Sequence, residues 1–397
     1  MSFENDINPL VLYFHVHQPR RLKRLGFLDI GYGSEHFDDD LNDSIMRDAA
    51  SRCYLPVNSM LTRLCKELKN VRVTFSISGI ALKQFDMFAP DVLESFRTLI
   101  NTGCVEILAE TSHHSLTGLV SGDEFASQVR EHSDLVEHYF NVKPVVFRNT
   151  ELIYNNDIGA RVAELGYNGI VCDDVSRVVR TKAKHAHYHH PDYKDLKILL
   201  RNNTLSDDIS FRFLSMDVQR YIDRIENTNG VVTLAMDYET FGEHQSEGTG
   251  VINFLRELVT TASNSHRVAL MTPSDVFENH PVKGKLDVPE SISWADEAKD
   301  LSAWLENDMQ NEAFLIAHSL EDQVKQTNDP ELIEHWRQLL TSDHFYYMST
   351  KTGPDGEVHS SFSPYPSPHE AYINCMNVVN DFRLKVKQAT PQEVIEA

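Results

Sequence analysis

The strongest constraint on this chain is a rhythm. Short runs rich in β-branched and aromatic residues recur along it: "LVLYFHV", "VRVTFSIS", "CVEILAE", "PVVFRNTE", "GIVCDD", "LKILLRN" and "VVTLAMDYE". Between them lie stretches such as Tyr54 to Leu68, Pro90 to Ile100, Asp123 to Phe140 and Asp157 to Leu165, where apolar residues fall three and four apart. Ser121 and Glu124 form a capping-box pair ahead of the third. Strands alternating with helices imply parallel pairing through right-handed crossovers, hence a barrel or a doubly wound sheet of seven strands. After about residue 285 the strand signals stop. Amphipathic patterns take over at Asp300 to Gln326, Pro330 to Leu340 and Ser367 to Val386, the last begun by Ser367, Pro368 and Glu370. The expectation is an α/β region over 1–285 and a helical region over 286–397, packed together without a flexible linker.

With 397 residues, 41% of them hydrophobic, the chain can bury a large core. Its formal net charge of −22 argues against nucleic acid or an anionic membrane, because both reward basic patches, and favours a neutral or polar substrate. No apolar run approaches the roughly 20 residues of a spanning helix, and "MSFENDINPL" lacks a secretory pattern, so a cytoplasmic protein is expected. Cys53, Cys65, Cys104, Cys172 and Cys375 lack CxxC spacing and read as ordinary buried thiols.

The segment "FHVHQP" ends the first strand. Alternation puts His15 and His17 on one face, and Pro19 marks the exit from the strand. Paired imidazoles at a strand tip make either a polar plug or a pocket wall. The other strand ends bear on the choice, since the third carries Glu106 and Glu110, the fourth Glu151, the fifth Asp173 and Asp174, and the seventh Asp237 and Glu239. Any one of these acids is more readily explained as a helix cap or an ion-pair partner. Five polar strand ends at equivalent positions, the histidine-bearing first included, favour a pocket, because the C-terminal ends of parallel barrel strands converge on one face. Two carboxylates across a cleft are what glycosidic cleavage requires: one protonates the leaving oxygen while the other attacks or activates water. Trp294, Trp304, Trp336, Tyr346 and Tyr347 are candidate sugar platforms, although aromatics at helical spacing are more often core.

Five ordered motifs, "HVHQP", "GCVEILAETSHHSL", "FRNTELIY", "MDYETFGEHQ" and "SDHFYYM", resemble those of glycoside hydrolase family 57, and within it the α-amylase-like members. The resemblance implies an incomplete seven-stranded (β/α)7 TIM-like barrel followed by a helical domain packing over the barrel mouth. It further implies retaining cleavage of α-glucans or maltooligosaccharides through a glycosyl-enzyme, with Glu151 as nucleophile and Asp237 as general acid/base. His15, His17, Glu106, His114, His244, Asp343 and Tyr346 are the substrate-binding residues it implies. Many family members have proline before the nucleophile where this chain has Thr150.

Neither metal nor cofactor is expected for such chemistry. Three alternatives stay open: a 4-α-glucanotransferase on the same scaffold, a metal-dependent polysaccharide deacetylase, and a non-catalytic carbohydrate-binding protein. The deacetylase reading draws on "CDD" at Cys172 to Asp174 and on the histidines of "HAHYHHP", the latter read here as a solvated loop; the TFDDG and HxxxH signatures are absent. Bond and chain-length preference and oligomeric state leave no trace in the sequence.

Overall fold

The structure, a computed structural model, describes residues 7–33, 35–179 and 185–390; residues 1–6, part of the segment read above for a leader, lie outside them. By backbone contacts the chain forms two compact units. One comprises 1–18, 43–112 and 126–294, the other 19–42, 113–125 and 295–397.

The first unit is α/β. Each of the seven runs forms a strand: β1 Asn8–Val16, β2 Val73–Ile77, β3 Val105–Ile107, β4 Val146–Arg148, β5 Gly169–Asp173, β7 Lys197–Arg201 and β8 Val232–Asp237. β1 runs parallel to β8 along Leu10 to His15, to β2 along Tyr13 to Val16, and β2 is parallel to β3. β4, β5 and β7 form a second parallel group. The groups meet at two places. Ala109 and Phe147 form a parallel bridge, and Asn202 donates its backbone N–H to Thr233 O at 2.8 Å.

Four further strands escape a reading by pattern. β6 His187–His189 pairs antiparallel with β7, with Tyr188 opposite Ile198, and His187 and Tyr188 are buried. The segment read as a solvated loop is therefore an edge strand: its polar rings hide the alternation, but its backbone finds ladder partners. β9 Phe241–Gly242 and β10 Gln245–Ser246 are two-residue pieces paired with each other, and β11 Val268–Leu270 lies parallel to Asn8–Leu10.

Alternation along β1 builds two cores. Leu10, Leu12, Phe14 and Val16 pack outward under the helices, where Phe14 meets Phe75, Tyr238 and Phe241 with ring centroids 5.3–5.6 Å apart. Val11 and Tyr13 face inward with Leu108, Val146, Val171, Leu199 and Ala235. Each fully buried side chain of this size stabilises the fold by about 1.5–3 kcal/mol. His15 continues the inward series, so the strand periodicity that fills the core also aims the first histidine.

The second unit is helical, with Ser302–Leu305, Asp308–His318, Glu321–Gln326, Pro330–Leu339, Asp343–Tyr346, Gly353–Phe362 and Pro368–Ala389 in its longest segment. The pattern over Asp300 to Gln326 is broken because Asn307 caps a new helix, in a capping box with Gln310. Trp304, Trp336 and Tyr347 are buried, and the Trp336 indole donates to Ala317 O at 2.9 Å, so these three are core side chains and not sugar platforms. Polar contacts tie the unit's segments together. Glu124 is fully buried against Arg337 at 2.6 Å and Lys325 at 3.0 Å; Asn374 Oδ1 accepts Leu25 N–H at 2.8 Å; His36 Nε2 meets Asp381 Oδ2 at 2.8 Å.

Candidate active site

Strand register assembles the site in the first unit. His15 pairs with Asp237 of β8 on one side and Ser76 of β2 on the other, so the three sit in one row; Ala235, Tyr13 and Thr74 form the row below. Neighbours in a parallel sheet share a face, which turns Asp237 and His15 the same way. Ser76 Oγ is 2.8 Å from both Tyr13 Oη and His15 Nδ1, and His17 Nδ1 is 2.7 Å from Ser78 Oγ. The two imidazoles are stacked with centroids 6.0 Å apart, and serines on β2 and just beyond it fix both rings.

Arg148, at the end of β4, is wholly buried. It donates to Glu110 Oε2 at 3.4 Å, while Glu110 Oε1 lies 3.7 Å from His15 Nδ1. Burial works against the charge on this guanidinium, and the carboxylates of Glu110, Glu151 and Asp237 outweigh it. A buried cation facing three carboxylates and a neutral phenol is a focus of charge, not an isolated ion pair.

Glu151 follows in a short turn, Thr150–Leu152, with left-handed backbone at φ 56°; Leu152 has φ 50°. Left-handed geometry at two successive non-glycine residues costs about 1–3 kcal/mol each, and strain of this kind persists where surrounding contacts enforce it. Those contacts are present. Tyr154 and Ile292 exchange backbone hydrogen bonds of 2.9 Å, Thr150 Oγ1 lies 2.9 Å from Thr111 Oγ1, and the Trp294 indole N–H donates to Glu151 Oε2 at 2.7 Å. The hydroxyl contact made by Thr150 is one that a proline at this position would lack.

Glu239 sits two residues beyond Asp237 and is buried. Its Oε1 accepts from Tyr54 Oη at 2.5 Å and from the His17 backbone N–H at 3.3 Å. Burial, then the adjacent Asp237 carboxylate, pushes its pKa up to about 8. His244 is exposed, its backbone N–H bonded to Glu239 O at 2.8 Å.

Among the site residues expected from sequence, this unit gathers His15, His17, Glu151 and Asp237 around Arg148, with His244 on the loop after Glu239. Glu106 behaves differently. It pairs with Thr74, in the lower row, and its carboxylate accepts from the Ser274 backbone N–H at 3.0 Å and its hydroxyl at 2.5 Å, at the start of helix Pro273–Asn279. Arg148 carries no signal of its own in the sequence, while Glu110 is legible only as a strand-end acid and Trp294 only as a candidate sugar platform. In the second unit His114 is buried in left-handed backbone, φ 50°, and its carbonyl accepts Ser342 N–H at 3.0 Å; Asp343 opens the next short helix. The Tyr346 ring stacks on His359 at 3.7 Å, and His359 is held by Asp296 at 3.1 Å.

Several groups of the deacetylase alternative have partners of their own. Asp173 pairs with Arg201 at 3.3 Å. The His187 ring contacts Phe277, His189 Nδ1 meets His190 O at 2.8 Å, and His190 Nε2 meets Asn156 O at 2.9 Å. These three rings point to separate partners and do not converge on one ion.

Comparison with known proteins agrees with the five motifs. The sequence model of Glycosyl hydrolase family 57 matches residues 11–289. The chain belongs to this family. A relative from Methanocaldococcus jannaschii, named "Putative alpha-amylase", is 35% identical over 94% of this chain and 84% of its own. The fold is similar to that of a family 57 branching enzyme from Thermococcus kodakaraensis, with a TM-score of 0.70 at 13% identity over 94% of this chain and 89% of that one. It is similar also to a 4-alpha-glucanotransferase from Thermococcus litoralis, with a TM-score of 0.65 at 17% identity; there 86% of this chain covers 56% of that protein. Family membership makes the chain a glycosidase and its architecture the α/β fold of these enzymes.

Proposed function

We propose that this family 57 enzyme hydrolyses α-glucans with retention of configuration, Glu151 attacking the anomeric carbon and Asp237 serving as acid and then base. The observation that carries the reading is the setting of Glu151: a strained turn, a hydrogen bond from the Trp294 indole and the buried cation Arg148 nearby fix its carboxylate in place, as a nucleophile requires. Asp237 has the opposite need, a proton when substrate binds. Glu239 beside it is held protonated up to about pH 8 by burial and by the Asp237 carboxylate, so the pair carries one proton near neutral pH that substrate binding must draw to Asp237. His15 and His17, fixed by Ser76 and Ser78, suit sugar hydroxyls as donors and acceptors.

In this reading the seven parallel strands, linked at Ala109–Phe147 and Asn202–Thr233, form an incomplete (β/α)7 barrel within 1–285, and 286–397 supplies most of a helical domain. Glu110 replaces Glu106 as the acid of the third strand at the site. His114, Asp343, Tyr346 and His244 remain proposed substrate contacts by family resemblance.

Retention requires the Glu151 and Asp237 carboxyls about 5–5.5 Å apart. The direct test is NMR of the first-formed product on an α-glucan. An α-anomer is expected, and a β-anomer from the unaltered enzyme overturns the assignment. Product chromatography on maltooligosaccharides separates hydrolysis, which gives shorter sugars only, from glucanotransfer, which also gives longer ones.

A further inference from the structure

The Glu151 carboxylate must be oriented toward the anomeric carbon while its strained turn is held against relaxation, and one residue bears on both requirements. The Trp294 indole N–H donates to Glu151 Oε2 at 2.7 Å, and the Trp294 backbone N–H reaches Glu151 O at 3.3 Å. Side chain and main chain of the glutamate are therefore gripped by a single residue 143 positions away. The indole is fixed in turn. The guanidinium carbons of Arg148 and Arg201 lie over its ring at 5.6 and 5.5 Å, and His15 approaches edge-on at 6.3 Å. Both arginines are anchored, Arg148 by Glu110 and Arg201 by Asp173 at 3.3 Å, Asp207 at 2.5 Å and the Ala235 carbonyl at 2.8 Å.

We propose that Trp294 is the positioning residue of the nucleophile, its indole N–H holding the Glu151 carboxylate through Oε2 in the orientation that attack requires. The proposal rests on Glu151 being the nucleophile. It makes Trp294 act through Glu151, and not chiefly as a surface on which a sugar ring stacks. A hydrogen bond donated to the ionised carboxylate also favours that form, so its loss should be visible in the pH profile.

Trp294→Phe keeps the ring and removes the donor. In the full-length enzyme kcat should fall roughly ten- to a hundred-fold with KM nearly unchanged, and the acidic limb of kcat/KM should move to higher pH. Trp294→His, which keeps a ring N–H, should recover part of kcat. A rise in KM alone, with kcat and the acidic limb unmoved, would mean that Trp294 is a sugar platform and overturns the proposal. The Glu151→Ala enzyme given azide supplies the second arm: with the carboxylate gone, adding Trp294→Phe should leave the rescued rate within about twofold. An equal loss on both backgrounds overturns the proposal. Should Glu151→Ala alone retain full turnover, the nucleophile assignment itself fails, and that result needs no Trp294 variant. If Trp294→Phe does not fold, the chain's three tryptophans allow an NMR readout in the folded enzyme. Glu151→Gln should shift one indole N–H resonance, and three unmoved resonances overturn the contact.

Discussion

Glu239 carries its proton to a higher pH folded than unfolded, and this makes it testable from two sides. Its folded pKa of about 8 lies above the ordinary 4.5, so between those values the native state binds the extra proton. Stability from this group is therefore fullest below about 4.5 and declines as pH rises to about 8. Glu239→Gln, neutral throughout, should flatten that slope in urea melts across the window, and an unchanged slope would refute the raised pKa. Turnover should also fall above about pH 8, as Asp237 and Glu239 become charged together. Glu106 gives the complementary case. Its carboxylate holds the start of a helix, so Glu106→Gln should cost about 1 kcal/mol of stability and leave kcat within a few-fold; a hundred-fold loss of kcat at wild-type stability would return it to the site. Sequence could not separate Glu106 from Glu110. Positions 106, 108 and 110 alternate onto the same face, and only register against β2 reveals how deep each lies.

Strands were legible where they were long and apolar, as in β1, whose inward series Val11, Tyr13, His15 could be followed to the first histidine from alternation alone. β6 was not, because three histidines and a tyrosine within 185–189 mask a two-residue period, and β11 spans only Val268–Leu270. Trp294 was invisible as a partner of Glu151 for a different reason: the contact is set by the Tyr154–Ile292 bridge, a pairing without a local signature. Gly242, inside "MDYETFGEHQ", shows what one such approach demands. At φ 128°, a Cβ there would lie 2.0 Å from the Arg52 carbonyl oxygen, a backbone atom with no rotamer to yield. Gly242→Ala should lower stability by on the order of 2–4 kcal/mol and disturb the loop after Asp237; a urea midpoint equal to wild type would contradict that contact.

At the scale of the whole molecule, the helical unit draws on three separated segments, 19–42, 113–125 and 295–397. A chain cut near residue 285 would keep the first two without the third. Glu124 would lose Arg337 and Lys325, His36 would lose Asp381, and Leu25 would lose Asn374. A stranded buried charge costs several kcal/mol, so the truncated chain should be inactive and prone to aggregate. Full turnover from a soluble 1–285 fragment would count against this. Chelator should leave the intact enzyme's activity unchanged, since two carboxylates suffice for the proposed chemistry; activity lost to EDTA and restored by zinc would favour the deacetylase alternative.

The same interleaving has a consequence for biosynthesis. At about 5–20 residues per second, the ribosome finishes residues 19–42 and 113–125 tens of seconds or less before it delivers 295–397. β1 likewise waits for β8 and β11, more than 200 residues downstream. Neither unit can complete itself on the nascent chain until most of the message has been read. The α/β unit therefore waits for residues as far as 294 and the helical unit for the segment beyond, so early-made strands and helices stay unpaired through most of synthesis.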